Sequence, residues 1–187
     1  MTDSTGHAAE GWRDADVVVA AFAGTRAGGA AVVPAIRVLR AALPRATLLL
    51  LWPEEAAIPA RLSALADRCL EYPSPQAETH RAGGDAVERV VAVLAAAAAR
   101  GAVVFTESGW TPYAPAYLVY LAGIARRAGI TAEFAGGVLS QPIAPPRRKM
   151  PEEARHLFLL EAIGFDRRGA MRPGSGPAET SLSRIRR

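Results

Sequence analysis

The apolar positions of this chain fall into short continuous runs separated by stretches of helical spacing. Residues 16–23 (DVVVAAFA) form such a run, as a strand buried on both faces requires. Residues 47–52 (TLLLLW) and 102–106 (AVVFT) repeat it, and 69–72 and 130–134 read as shorter strands. Between them, Val33, Ile36, Val38 and Leu39 share one helical face across 30–42. Pro34 sits in that helix's first turn, where a missing N–H costs little, and Pro44 ends it. The segment 53–67 predicts two short helical pieces split by Pro59. A strong helix is expected over 85–100, with Asp85 as its N-cap and Gly101 as its stop. Another is expected over 111–129, with Tyr113, Tyr117, Tyr120 and Ile124 on its apolar face. Arg126 and Arg127 would close that helix, where cations favour the dipole. The last helix is 151–163, with Leu157, Phe158 and Leu160 inward and Gly164 as its cap.

Strands alternating with helical crossovers predict an α/β fold: a single Rossmann-like domain, with a mainly parallel sheet and helices on both faces. Residues 1–15 read as a disordered head, 16–165 as the domain and 166–187 as a disordered basic tail; 73–84 reads as a surface loop. In such sheets ligands gather at the carboxyl ends of the strands, so the loops after residues 23, 52 and 106 are where chemistry is expected. The 187 residues suit one domain. Two doubly wound domains would need roughly 250 or more.

Composition narrows this reading. Cys69 is the only cysteine, so no internal disulfide can form, and a reducing compartment fits. Metal-site signatures are missing, and neither a metal nor a cofactor is expected. The polar, acidic start MTDSTGHAAEGWRDAD does not resemble a secretory signal. The longest apolar stretches, 46–53 and 90–99, are too short to span a bilayer. A soluble cytoplasmic protein is expected. The net charge of +4 comes largely from Arg147, Arg148 and Lys149 and from Arg184, Arg186 and Arg187. Such a surface suits anionic partners, or simply serves solubility.

Three segments could carry chemistry. The first is FAGTRAGGAAVVPAI (22–36), a glycine-rich turn between strand and helix. Backbone N–H groups of Gly28 and Gly29, with the cation Arg26, would suit a phosphate or sugar oxygen. Its spacing is neither G-x-G-x-x-G nor a P-loop, and a plain strand–helix turn explains it equally well. The second is TESGWTPYAP (106–115). Ser108 and Thr111 with the aromatics Trp110 and Tyr113 suit carbohydrate, whose apolar faces stack and whose hydroxyls need partners. Ser108 or Thr111 could instead cap the next helix. Glu107 could be a base or a hydroxyl acceptor, or merely a solvated carboxylate. The third is the basic loop PPRRKMP (145–151), whose Arg147, Arg148 and Lys149 could grip an acceptor phosphate or an anionic membrane surface, or simply be solvated. Among the histidines, His156 lies beside the apolar face of the last helix, where packing or capping explains it better than catalysis.

The run SGWTPYAPAYLVYLAGIARRAGITAEFAGGVLS (108–140), followed by RHLFLLEAIGF (155–165), resembles the heptosyltransferase-like glycosyltransferases of glycosyltransferase family 9. VVPAIRVLRAALPRATLLLLWPEEAA (32–57) is similar to an upstream segment of that family. The resemblance covers about residues 16–165 and implies the N-terminal, acceptor-binding half of a GT-B fold. In that family a second Rossmann-like domain binds the nucleotide-sugar donor, typically ADP-heptose. The acceptor is usually lipopolysaccharide inner core, at the cytoplasmic face of the inner membrane.

Two departures stand out. After Phe165 the chain reads as a polar tail, where the family would be expected to continue toward its donor domain. The family's first loop carries a Gly-Asp pair whose Asp, the family's catalytic base, falls six positions before the proline; six positions before Pro34 stands Gly28. There is no acidic residue between Asp16 and Glu54, so Glu107 is left as the candidate base. Restoring the acid by Gly28→Asp would then be expected to raise transfer in a reconstituted pair. The expected function is a truncated or split glycosyltransferase homologue, inactive alone and needing a separate donor-domain chain. Its acceptor would be a glycan or glycolipid. Acceptor contacts would come from Arg26, Gly28, Gly29, Ser108, Trp110, Thr111, Tyr113, Arg127 and the 147–149 cluster. Peripheral contact with an anionic inner membrane fits this reading, and no nucleic-acid partner is expected. The alternatives are a non-enzymatic interaction or glycan-binding module, and an unrelated small Rossmann-type nucleotide binder.

Overall fold

The computed structural model describes residue 12 and residues 14–73, 84–133 and 137–166. The head (1–11 and 13), the 74–83 loop with His80, residues 134–136 and the tail from 167 onward lie outside the described residues. Among the described residues six strands form one sheet: β1 (Val17–Ala23), β2 (Thr47–Pro53), β3 (Arg68–Tyr72), β4 (Gly101–Thr106), β5 (Arg126–Ile130) and β6 (Gln141–Ile143). Their order is β3-β2-β1-β4-β5-β6, and every neighbouring pair is parallel. The fold is the expected α/β, Rossmann-like one. The chain builds outward from β1 to β3, then returns to lay β4 against the other side of β1. The loops after β1 and β4 therefore start side by side at the carboxyl ends, where sheets of this kind bind ligands.

Helices cover both faces of the sheet. After β1 come α1 (Arg26–Gly29), a 3-10 turn (Ala30–Val32) and α2 (Val33–Ala42). The short α3 (Ala60–Ser63) follows β2, and α4 (Gly84–Ala96) leads into β4. Finally α5 (Tyr113–Leu121) joins β4 to β5, and α6 (Glu152–Ala162) closes the fold. One core layer packs Val18, Ala20, Phe22, Leu50, Val103 and Phe105 against Ile36 and Leu39 of α2 and Leu159 and Leu160 of α6. The other packs Val19, Ala21, Leu49, Leu51 and Val104 against Leu94 of α4 and Val119 of α5. Adjacent strand residues alternate between these layers, so the central strands must be apolar on both faces.

Several local expectations change. The helix expected over 111–129 is α5 alone. Gly123, at φ +77°, stops it in the left-handed region, and Arg126 and Arg127 open β5 instead of closing a helix. The strand expected at 130–134 therefore begins earlier. The face of α5 also differs: Pro115, Ala116, Leu118 and Val119 are buried, whereas Tyr117 and Tyr120 are exposed. This helix is apolar nearly all round, so spacing could not select its inward side. In α6 the buried residues are His156, Leu159 and Leu160, with Leu157 and Phe158 half-buried. Helix α4 ends at Ala96, ahead of the expected stop at Gly101.

Gly101 has another task, as the first residue of β4. A Cβ there would lie 2.4 Å from the Trp12 ring. Trp12 falls within the segment that reads as head, yet it is fully buried, with its ring centroid 6.0 Å from that of Phe165. The indole thus seals the amino end of the central strands. Trp12→Ala should cost about 3–5 kcal/mol, the usual range for emptying an aromatic site. Gly101→Val should expel the same ring. Urea unfolding would report both, a red-shifted tryptophan emission would report the expelled ring in Gly101→Val, and unchanged stability in either variant would contradict this packing.

Candidate functional site

The register pairs Ala23, the last residue of β1, with Thr106, the last of β4. The glycine-rich turn and the TESGW segment therefore meet at the reversal of strand order. Glu107 continues the ladder through its N–H to the Ala23 carbonyl at 3.0 Å. Its side chain then crosses to the neighbouring loop. Glu107 Oε2 accepts the Thr25 N–H at 2.7 Å and the Thr25 hydroxyl at 2.8 Å. Thr25 also caps α1, its Oγ1 accepting from the Gly28 N–H at 3.3 Å. A carboxylate held by an N–H and a hydroxyl is fixed in position.

The glycines of the turn are small because this chain's own side chains fill the adjoining space. A Cβ on Gly28 would lie 2.5 Å from Glu107 Oε2, and one on Gly24 would lie 2.9 Å from Glu107 Cβ. A Cβ on Gly29 would meet the Trp52 ring at 2.7 Å. The amide groups expected to cradle a phosphate are engaged as well. Thr25 N–H serves Glu107, Gly28 N–H serves Thr25 Oγ1 and Gly29 N–H serves the Thr25 carbonyl at 3.1 Å.

Of the other expected residues, Arg26 is exposed at the start of α1, beside Thr25. Ser108 follows Glu107, and its N–H donates to Glu152 Oε1 at 3.1 Å. A turn closes from Trp110 N–H to the Glu107 carbonyl at 3.0 Å, with Gly109 at φ +85° where a type II turn needs it. Trp110 is partly exposed and Thr111 exposed. Neither Ser108 nor Thr111 caps α5, whose N-cap is Pro112 with no side-chain bond. Tyr113 turns toward the end of β5, its hydroxyl 3.1 Å from Thr131 Oγ1.

Arg127 is not brought to this cluster. It lies at the amino end of β5, paired with Ala102 near the start of β4. Its guanidinium donates to the carbonyls of Ile124, Ala125, Gly137 and Val138 and stacks over Tyr120 at 5.1 Å. Arg147, Arg148 and Lys149 are exposed in the loop after β6, on the same edge of the sheet as Glu107 but two strands away from β4.

The pattern of the sequence did not single out Thr25, Glu152 or Arg155. Arg155 Nη1 donates to the carbonyl of Thr106 and to its Oγ1 at 3.0 Å. His156 is buried, as a packing histidine should be, with Nδ1 3.1 Å from the Ala31 carbonyl and Nε2 3.2 Å from the Thr106 carbonyl. A neutral imidazole has one N–H and can donate to only one of them. Burial holds the ring below the usual histidine range, opposed by the two carbonyls and Glu152, while Arg155 adds to the depression. Among the described residues no group of three His, Cys, Asp or Glu side chains is arranged to hold a metal ion. No helix among them is long and apolar enough to cross a membrane.

Two outcomes follow from this geometry. Gly28→Asp should drive a carbon and then a second carboxylate into Glu107. It should destabilise the chain by about 1–3 kcal/mol, the cost typical of overpacking, instead of restoring an acid. Glu107→Ala should relieve much of that loss, and urea unfolding of the two single variants and the double variant would measure the coupling. Because the folded chain holds His156 neutral, stability should be full above about pH 6.5 and decline as pH falls below it. His156→Gln should flatten that slope, and unfolding curves taken at pH 7.5 and 5.5 would show whether it does.

No family model and no curated protein matches this chain. Solved structures do. A glycosyl transferase of family 9 from Veillonella parvula aligns over 81% of this chain and 42% of its own, with TM-score 0.61 and 13% identity. The ADP-heptose lipopolysaccharide heptosyltransferase II of E. coli aligns over 83% of this chain and 44% of its own, with TM-score 0.51 and 16% identity. The chain spans less than half the length of each. Its fold is thus that of a portion of heptosyltransferase-like family 9 structures.

Proposed function

We propose that this chain is the acceptor-side wall of a GT-B glycosyltransferase of the heptosyltransferase-like type. A nucleotide-sugar domain on a separate chain would supply the facing wall. The observation that carries this reading is the Glu107 carboxylate, held on Thr25 at the reversal of strand order. An acceptor hydroxyl placed against Glu107 would give up its proton to the carboxylate as its oxygen attacks the anomeric carbon. The nucleotide would leave with the bonding electrons. With Oε2 on Thr25, Oε1 is the oxygen that would meet the hydroxyl. Arg26 beside the site would steer an anionic acceptor group, and partly exposed Trp110 would offer a stacking face.

The same carboxylate weighs against an independent nucleotide binder. A donor phosphate entering the glycine turn would meet Glu107 at the amides it needs. The donor phosphates would therefore be held by the other wall, and this one would be inactive alone. The exposed Arg147, Arg148 and Lys149 would favour a glycolipid acceptor at an anionic, cytoplasmic membrane face.

The test uses the purified chain with ADP-heptose and with a deacylated lipopolysaccharide inner-core oligosaccharide. The oligosaccharide should shift the amide resonances of Thr25 and Trp110. Glu107→Ala should weaken that binding about tenfold, equivalent to about 1.4 kcal/mol. ADP-heptose should neither bind tightly nor be consumed. Turnover by the unaided chain, or tight ADP-heptose binding that survives Glu107→Ala, would overturn the reading.

A further inference from the structure

Helix α6 reaches the Glu107 loop with three side chains that the proposed transfer does not use. Glu152, Arg155 and His156 are spaced i, i+3 and i+4, so they share one face at the start of the helix. Arg155 holds Thr106, the residue before Glu107, by both its carbonyl and its hydroxyl. Glu152 takes the N–H of Ser108, the residue after it. His156 lies between the Thr106 carbonyl and the Ala31 carbonyl, and Ala31 sits in the 3-10 turn that continues the Thr25 loop. One helix face thus grips both flanks of the carboxylate and the loop it bonds to.

Anchoring α6 does not require these contacts. Leu159, Leu160 and Ile163 already bury the helix in the core. Drawing a guanidinium partly out of water also carries a cost: desolvation lowers the Arg155 pKa from its ordinary value, with Glu152 opposing. These contacts converge on the end of β4. Glu107 Oε2 must land within hydrogen-bond reach of two Thr25 donors on the neighbouring strand's loop, and a small shift of Thr106 would break both bonds.

We infer that Arg155 is a positioning residue for Glu107, acting with His156 and Glu152 to set its reach onto Thr25. The inference stands on these contacts alone, independently of any sugar chemistry.

Amide hydrogen exchange of the full chain tests it, with Thr25 N–H as reporter and the core amides of Val19 and Val103 as references. In Arg155→Gln, Thr25 should exchange at least tenfold faster while the references change little. Arg155→Lys, which keeps a cationic donor, should return Thr25 to within about threefold of the parent. Leu157→Ala, on the same helix but away from Thr106, should leave the ratio of Thr25 to reference rates unchanged. In a Glu107→Ala background, where the reporter bond is already gone, Arg155→Gln should have no further effect on Thr25. The inference fails if Thr25 and the references move together in Arg155→Gln, or if Thr25 does not move. It fails equally if Leu157→Ala produces the same selective loss, or if Lys gives no rescue.

Discussion

The site depends on one bond pair: the Glu107 carboxylate on the N–H and hydroxyl of Thr25. That pair can form only because the chain reverses its direction of growth between β1 and β4. The reversal sets Ala23 beside Thr106, so the first residues of two loops distant in sequence become neighbours. In any other strand order Glu107 would face a different loop, and Gly28 would have no reason to lack a side chain. The smallness of the turn is thus a packing requirement imposed from within the chain, and it does not call for a ligand.

This changes the meaning of a glycine-rich strand–helix turn. Such turns are usually read as anion cradles because their amides point outward at a helix start. Here the protein supplies its own anion. The amides of Thr25, Gly28 and Gly29 are all engaged, and negative charge lies where a phosphate would otherwise sit. The surface offered to a ligand is that of a hydrogen-bond acceptor.

Much of the architecture was legible because parallel strands buried on both faces leave an unmistakable record. The runs at 16–23, 47–52 and 102–106 could be little else, and the loops after 23 and 106 do lie side by side. The nearness of Glu107 to Gly28 was not legible, since it depends on which strands are neighbours, and periodicity is silent on that. Arg126 and Arg127 belong to β5 because the left-handed backbone of Gly123 ends the helix, a stop that apolar spacing does not record. The tyrosines of α5 misled for another reason: helical spacing finds a stripe but cannot say which way it points when the whole surface is apolar. Trp12 was invisible because a lone aromatic in a polar segment carries no period at all. The grip of α6 on Thr106 is equally silent in the pattern, since it joins side chains to a backbone carbonyl about fifty residues away.

The rim of the sheet sets how the molecule can meet others. Among the described strands β6 is a margin, three residues long with Pro142 at its centre, where no amide hydrogen is available. The opposite margin, β3, carries exposed Arg68 and Glu71. Both features discourage strand addition. A second polypeptide would therefore dock more readily by complementary side chains on the helical flanks or at the carboxyl ends of the strands than by recruiting this sheet as a template for extending its own.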